Sequence, residues 1–286
     1  MSEIAELSEA VGQVLSALVG RPASVSNMER LSGGASRVTW SVDAIVDDDP
    51  LPLILQRTRG GGSPTGIGAA TEAALLRAAH AAGVPTAEVV AAVGDPGLDG
   101  PALAGALEVL GDGWVLQARL AGETRPARLL RDEDWAEARA ALVAECGAAL
   151  AAIHRIPAAS VPGLEPGDRL VRFRDVLDGF DEPRPAFELG LRWLAAHQPV
   201  GRPTASVVHG DFRTGNLLVD RRGLAAVLDW ELAHLGDPIE DLGWFCVRAW
   251  RFGSPKPAGG FGTRARLVAA YEAHGGGPVD PAVLHW

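Results

Sequence analysis

The hydrophobic pattern of this chain changes character once, near Gly122, and that change calls for two differently built halves. Up to that point, short apolar runs are broken by turn residues; beyond it, long Ala-rich stretches take over. From Glu3 to Val19 the apolar positions recur at three- and four-residue steps, the stripe of an amphipathic helix. Val25 to Leu31, Arg37 to Val46 and Leu51 to Thr58 read as strands of an antiparallel meander, joined by Ser32-Gly33-Gly34-Ala35-Ser36 and by Asp47-Asp48-Asp49-Pro50. A Gly/Pro-rich loop over 59–68, a helix from Ala69 to Ala82 and a strand from Ala87 to Val93 follow. Gly105 to Leu110 and Trp114 to Leu120 flank Gly111-Asp112-Gly113 and predict a hairpin.

In the second half, Glu133 to Ile153 and Ala186 to Ala196 read as helices, with a Pro- and Gly-punctuated connection between them. Ser206 to Val208, Leu217 to Val219 and Leu224 to Leu228 are too short for helices and predict small strands that present the intervening loops. The expected fold class is therefore α+β and bilobal, with a β-rich lobe over 1–118 and a mainly helical lobe over 119–286.

At 286 residues and 47% hydrophobic content, the chain can bury one large core or two modest ones. A formal net charge of -10 argues against sequence-independent binding to nucleic acid, which needs clustered cations. Such a surface suits solubility or a cationic substrate. No apolar stretch approaches the roughly 20 residues needed to span a bilayer. The N-terminus lacks a secretory layout, so a cytoplasmic location is expected and no membrane partner. Cys146 and Cys246 predict buried free thiols, without Cys/His spacing that could hold zinc. Lys256 is the single lysine.

The chemistry concentrates in His209-Gly210-Asp211-Phe212-Arg213-Thr214-Gly215-Asn216, with Asp229-Trp230 beginning thirteen residues after Asn216. Phosphoryl transfer asks for an oriented nucleophile and a divalent cation on the phosphate oxygens. Asp211 suits the base that accepts a hydroxyl proton, while Asn216 and Asp229 offer hard oxygens to Mg²⁺. His209 is expected to hold the loop through hydrogen bonds, and His154 to pack. Asp237 and Asp241 read as structural residues near the start of a helix. Trp230, Trp244 and Trp250 read as core.

This His-x-Asp-x4-Asn followed by Asp resembles the catalytic and metal-binding loops of protein-kinase-like enzymes, and His-Gly-Asp with Asp-Trp resembles their aminoglycoside-phosphotransferase branch. The string from Leu228 to Pro238, with Asp241-Leu242-Gly243-Trp244, is similar to the kinases related to hydroxyacyl-CoA kinase domains of certain acyl-CoA dehydrogenases. The resemblance implies a Mg²⁺-dependent kinase using ATP, or alternatively GTP, to phosphorylate a small-molecule hydroxyl. The acceptor stays open between an aminoglycoside and a hydroxyacyl thioester, whose phosphates would want arginines such as those from Arg125 to Arg131. Oligomeric state is not legible.

By the same resemblance, Ser32, Gly33, Gly34 and Ser36 belong to a loop covering the nucleotide, and Glu72 to a helix whose carboxylate pairs with a strand cation. Many relatives place a lysine on that strand; here Gln56 and Arg57 stand there, on opposite faces, with Arg57 favoured by chemistry. Gln117 and Arg119 fall on the strand and hinge whose backbone reads the base. Glu231 is either an acceptor-pocket residue or a helix-capping one. Relatives of this kind continue with further helices past Trp286. Two rival readings are an idle nucleotide- or partner-binding module, suggested by the missing lysine, and a metal-dependent phosphohydrolase, which wants more clustered ligands.

Overall fold

Alternating apolar and polar side chains along Arg37–Val46 and Asp49–Thr58 build the antiparallel sheet at the heart of the first of two units. The computed structural model describes residues 2–31, 37–58, 66–199 and 205–286. Its contacts divide the chain into Met1–Ala81 with Pro85–Ala121, and Ala82–Val84 with Gly122–Trp286. No helix among the described residues is long and apolar enough to cross a membrane. The chain mixes helices with mainly antiparallel strands, an α+β fold.

The first unit holds α1 (Glu3–Val19), β1 (Ala23–Leu31), β2 (Arg37–Val46), β3 (Asp49–Thr58), α2 (Ala69–Ala81), β4 (Val89–Ala92), α3 (Ala104–Leu110) and β5 (Trp114–Ala118). The sheet runs β1-β2-β3-β5-β4, with every neighbouring pair antiparallel. Trp40, Val42, Leu53, Leu55 and Leu116 share one face and form the core with Leu7, Val11, Val14 and Leu15 of α1 and Ala106 and Leu110 of α3. Ala69 and Ala73 of α2 cover Val115 on the other face.

The predicted hairpin at 105–120 is corrected here: its first arm is the helix α3. Leu103, Ala106, Leu107 and Leu110 recur at helical steps, a period that outweighs the glycine-rich turn after them. Gly111 then takes φ 79° and returns the chain into β5.

The second unit contains α4 (Pro126–Arg131), α5 (Ala136–His154), α6 (Arg169–Gly179), α7 (Pro185–Ala196), β6 (Ser206–Val208), β7 (Leu217–Val219), β8 (Leu224–Val227), β9 (His234–Gly236), α8 (Ile239–Phe245), α9 (Arg264–Ala273) and α10 (Pro281–His285). Its centre is α5, which buries Leu142, Val143, Cys146, Leu150 and Ile153. A side chain at Gly147 would approach Leu267 O within 2.7 Å, so glycine permits α9 to lie close against α5.

Both cysteines are free and buried. Helix α6 falls within the predicted connection; Asp168 caps it by accepting the Leu170 and Val171 amides. Strands β6 and β9 pair, as do β7 and β8, and their ends carry the polar loops.

Candidate active site

Strand β6 ends at Val208, and the chain turns at once to present His209, Gly210 and Asp211. Gly210 makes the turn at φ 79°, where a Cβ would collide with the Leu232 carbonyl, so glycine is required. Wholly buried on α8, Asp241 clamps the turn from inside. It accepts the His209 amide at 2.7 Å and the Gly210 amide at 2.9 Å, one on each carboxylate oxygen. His154 Nε2 lies 3.1 Å from Asp241 Oδ2, and its Nδ1 lies 2.9 Å from the Tyr271 hydroxyl. Burial alone would raise the Asp241 pKa; the hydrogen bond and charge of His154 and the His209 backbone amide outweigh it and hold it at about 2.

His209 is equally buried. Its Nδ1 accepts the Asp211 amide at 3.2 Å, and Nε2 faces the Leu228 carbonyl at 3.0 Å. A neutral ring carrying its proton on Nε2 satisfies both partners, and burial lowers its pKa in the same sense. His209 is thus a scaffold between two loops.

Asp211 is only half-buried, and its carboxylate accepts three donors. Oδ1 takes the Trp244 indole N–H at 2.8 Å; Oδ2 takes Arg213 Nε–H at 2.9 Å and Asn216 Nδ2–H at 2.8 Å. The Arg213 guanidinium lies 4.8 Å from the Trp250 ring centre, and Trp250 contacts Trp244 at 5.5 Å between centroids. The donors therefore brace one another around the carboxylate. Thr214, also buried, anchors the next turn by donating to the Gly259 carbonyl at 2.7 Å.

Asn216 brings the third loop in. Its carbonyl accepts the Leu228 amide at 2.8 Å, continuing the β7–β8 ladder by one residue. Leu228 is thereby held on both sides, by Asn216 at its amide and by His209 at its carbonyl. Asp229 follows in the left-handed conformation at φ 64°, a region Asp tolerates better than most residues, and is exposed.

Asn216 Nδ2 is spent on Asp211, and the exposed Asp229 follows Leu228, whose amide the Asn216 backbone carbonyl holds. One amide oxygen and one carboxylate fit a small, hard cation that keeps its other positions for phosphates and water. Among the described residues, no group of three or more His, Cys, Asp or Glu could hold a metal ion. Glu231 lies half-buried two residues further on, close enough to Arg172 for its charge to act there.

The residues expected at the nucleotide separate by strand register. Ser32, Gly33, Gly34 and Ser36 lie outside the described residues. Glu72, buried on α2, pairs with Arg37 of β2. Arg37, Ser41, Gln56, Gln117 and Arg119 share the α2 face of the sheet, because Thr39 pairs with Gln56 and Gln56 with Val115. Gln117 donates to Gln56 at 2.9 Å, and Arg119 reaches Ser41 and Asp43. The Arg119 backbone amide is taken by the Pro52 carbonyl at 3.0 Å.

Arg57 points to the opposite face, where it donates to the Leu110 and Val109 carbonyls at 3.0 and 2.9 Å and caps α3. The cation beside Glu72 is therefore Arg37, not Arg57. Sequence reading sought it one strand too late, since register alone reveals that Arg37 faces α2. It also left Trp244 in the core and passed over Arg213, although Arg213 stands inside the motif.

The chain matches the model of a family described as the phosphotransferase enzyme family over residues 27–285. A stretch of 65 residues is 45% identical to acyl-CoA dehydrogenase family member 10 of Mus musculus, covering 22% of this chain and 6% of that protein. A match of the same length is 36% identical to member 11 of Homo sapiens, covering 22% of this chain and 8% of that protein. The chain thus corresponds to less than a tenth of these relatives' length.

Among solved structures, a macrolide 2'-phosphotransferase of type I superposes with a TM-score of 0.60 at 20% identity, covering 97% of this chain and 85% of that one. An aminoglycoside 3'-phosphotransferase of type VIII gives 0.59 at 19% identity over 100% and 97%. At such identity these two likenesses establish the fold.

Proposed function

Because the chain belongs to the phosphotransferase enzyme family, we propose that it moves the γ-phosphoryl group of a Mg²⁺-bound nucleotide onto a hydroxyl of a small molecule. The observation that carries this reading is the gathering of Asp211, Asn216 and Asp229 at the ends of β6, β7 and β8. In the reaction, the acceptor oxygen bonds to the γ-phosphorus, its proton passes to Asp211, and the bond to the β-phosphate oxygen breaks to release nucleoside diphosphate.

Asp211 Oδ1 has one donor against two on Oδ2, so it keeps more acceptor capacity for the incoming hydroxyl. Trp244 on Oδ1, with Arg213 and Asn216 on Oδ2, holds the carboxylate in place, so little reorientation is needed before transfer. A divalent cation on Asn216 Oδ1 and Asp229 would neutralise charge on the phosphate oxygens. The polar α2 face, with Arg37 paired to Glu72 and Gln56 to Gln117, is the proposed nucleotide side of the sheet. ATP is the proposed donor, with GTP the alternative; similar folds have been solved with GDP and with ATP and streptomycin.

The idle-module reading rested on the missing strand lysine, and Arg37 gives Glu72 a cation without one. The phosphohydrolase reading needs a carboxylate cluster that is absent among the described residues. A Mg-ATP turnover screen over hydroxyl compounds, including an aminoglycoside and a hydroxyacyl-CoA, tests the proposal. Asp211→Asn should abolish transfer and leave calorimetric Mg-ATP affinity unchanged; full turnover in that variant would refute the base assignment.

A further inference from the structure

The second unit encloses a cavity of about 500 Å³, large enough for a small organic ligand. Trp244 forms part of its wall and donates to Asp211 Oδ1, so one indole links the cavity to the proposed reacting carboxylate. Much of the remaining wall is apolar, from residues such as Phe173, Leu194, Val247 and Leu284.

Its charges are unevenly used. Asp168 caps α6, Asp237 accepts the Ile239 amide at 3.0 Å, and Glu240 is shared by Arg169 and His234. Arg169 is spent on Glu240 and on the Gly210 carbonyl. Arg248, Arg251 and Arg264 line the same cavity, and among the described residues none has a carboxylate partner. Arg251 donates one N–H to the Cys246 carbonyl at 2.7 Å, while its buried Nε has no acceptor among the described residues. By contrast, Arg125 and Arg128 are tied to Glu123 at 2.9 and 2.8 Å.

In a chain of net charge -10, three arginines left without carboxylates on one cavity wall invite an anion from outside. Guanidinium groups match carboxylate and phosphate oxygens two at a time, and apolar walls strengthen the attraction. A polycationic acceptor would instead meet three like charges. We infer that this cavity binds a hydroxy compound bearing an anionic group, carboxylate or phosphate, on an apolar body, with Arg248, Arg251 and Arg264 as the anion-selecting residues. The inference rests on the phosphotransferase reading for its hydroxyl and on the cavity for its charge.

Calorimetry on the full chain with ω-hydroxydecanoate, its methyl ester, the ω-amino alcohol and the ω-hydroxyalkyl monophosphate of equal length tests it, followed by Mg-ATP turnover with each. The acid or the monophosphate should bind at least about tenfold tighter than the ester and the amine. Whichever anion binds tighter identifies the group the cavity takes.

Arg248→Gln combined with Arg264→Gln, both at exposed positions, should erase that preference without changing Mg-ATP affinity or thermal midpoint. Equal binding of acid and ester, or a preference that survives the double variant, overturns the inference even if turnover proceeds. Anion-selective, arginine-dependent binding without phosphorylation of any compound upholds the cavity and sinks the kinase reading instead.

Discussion

Trp244 contributes a single indole N–H to the chemistry, yet among the described residues it is the one donor on Asp211 Oδ1. A hydrogen bond to a charged group is worth about 1.5–3 kcal/mol. Trp244→Phe keeps the ring and loses the donor, so on the proposed reading kcat should fall by about tenfold or more while the KM for nucleotide stays put. Steady-state kinetics with both substrates varied will check this.

Arg57 carries the opposite expectation. Its guanidinium serves the last carbonyls of α3, so Arg57→Ala should cost about 1–3 kcal/mol of stability and leave Mg-nucleotide affinity unchanged. An unaltered melting curve with tenfold weaker nucleotide binding would return Arg57 to the nucleotide site. Two neighbours on one strand, Gln56 and Arg57, are thus separated by the sheet's twofold alternation more decisively than by their chemistry.

At the scale of elements, helix α8 acts on β6 through one carboxylate. Asp241 takes two successive amides at the sharpest turn of the catalytic loop, and α5 and α9 support it through His154 and Tyr271. Asp241→Asn removes the charge that this buried network is built around, and a loss of about 3 kcal/mol or more is expected in denaturant titration.

The acid limb supplies an independent check. The folded pKa of Asp241, about 2, lies below the ordinary value of 3.8, so its contribution is complete above pH about 4. It is lost as pH falls from there through about 2. The wild-type thermal midpoint should therefore drop across that window, and Asp241→Asn should show a shallower drop. An identical acid profile in both proteins would contradict the assignment.

At the scale of the molecule, each unit has a core of its own: α1 and α3 on the sheet in the first, α5 against α9 in the second. A bound Mg-nucleotide at a hundred times its Kd would add about 2.7 kcal/mol to the unfolding free energy. On the proposed reading, the wild-type thermal midpoint rises with Mg-ATP, and Asp229→Ala loses most of that rise because a cation ligand is gone. An equal rise in both proteins would show that Asp229 holds no cation.

The sequence by itself determined the meander strands, helices α1, α2, α5 and α7, the short strands β6, β7 and β8, and the motif, since helical stripes, strand alternation and the spacing of Asp211, Asn216 and Asp229 are local properties. It misread α3, where a glycine-rich turn outweighed a helix only seven residues long. Tertiary structure decided which cation meets Glu72, which side chains brace Asp211 and which arginines are left without carboxylates. The Arg37–Glu72 and Trp244–Asp211 pairings join residues tens of positions apart, and they depend on strand register and helix placement that no window of neighbouring residues encodes.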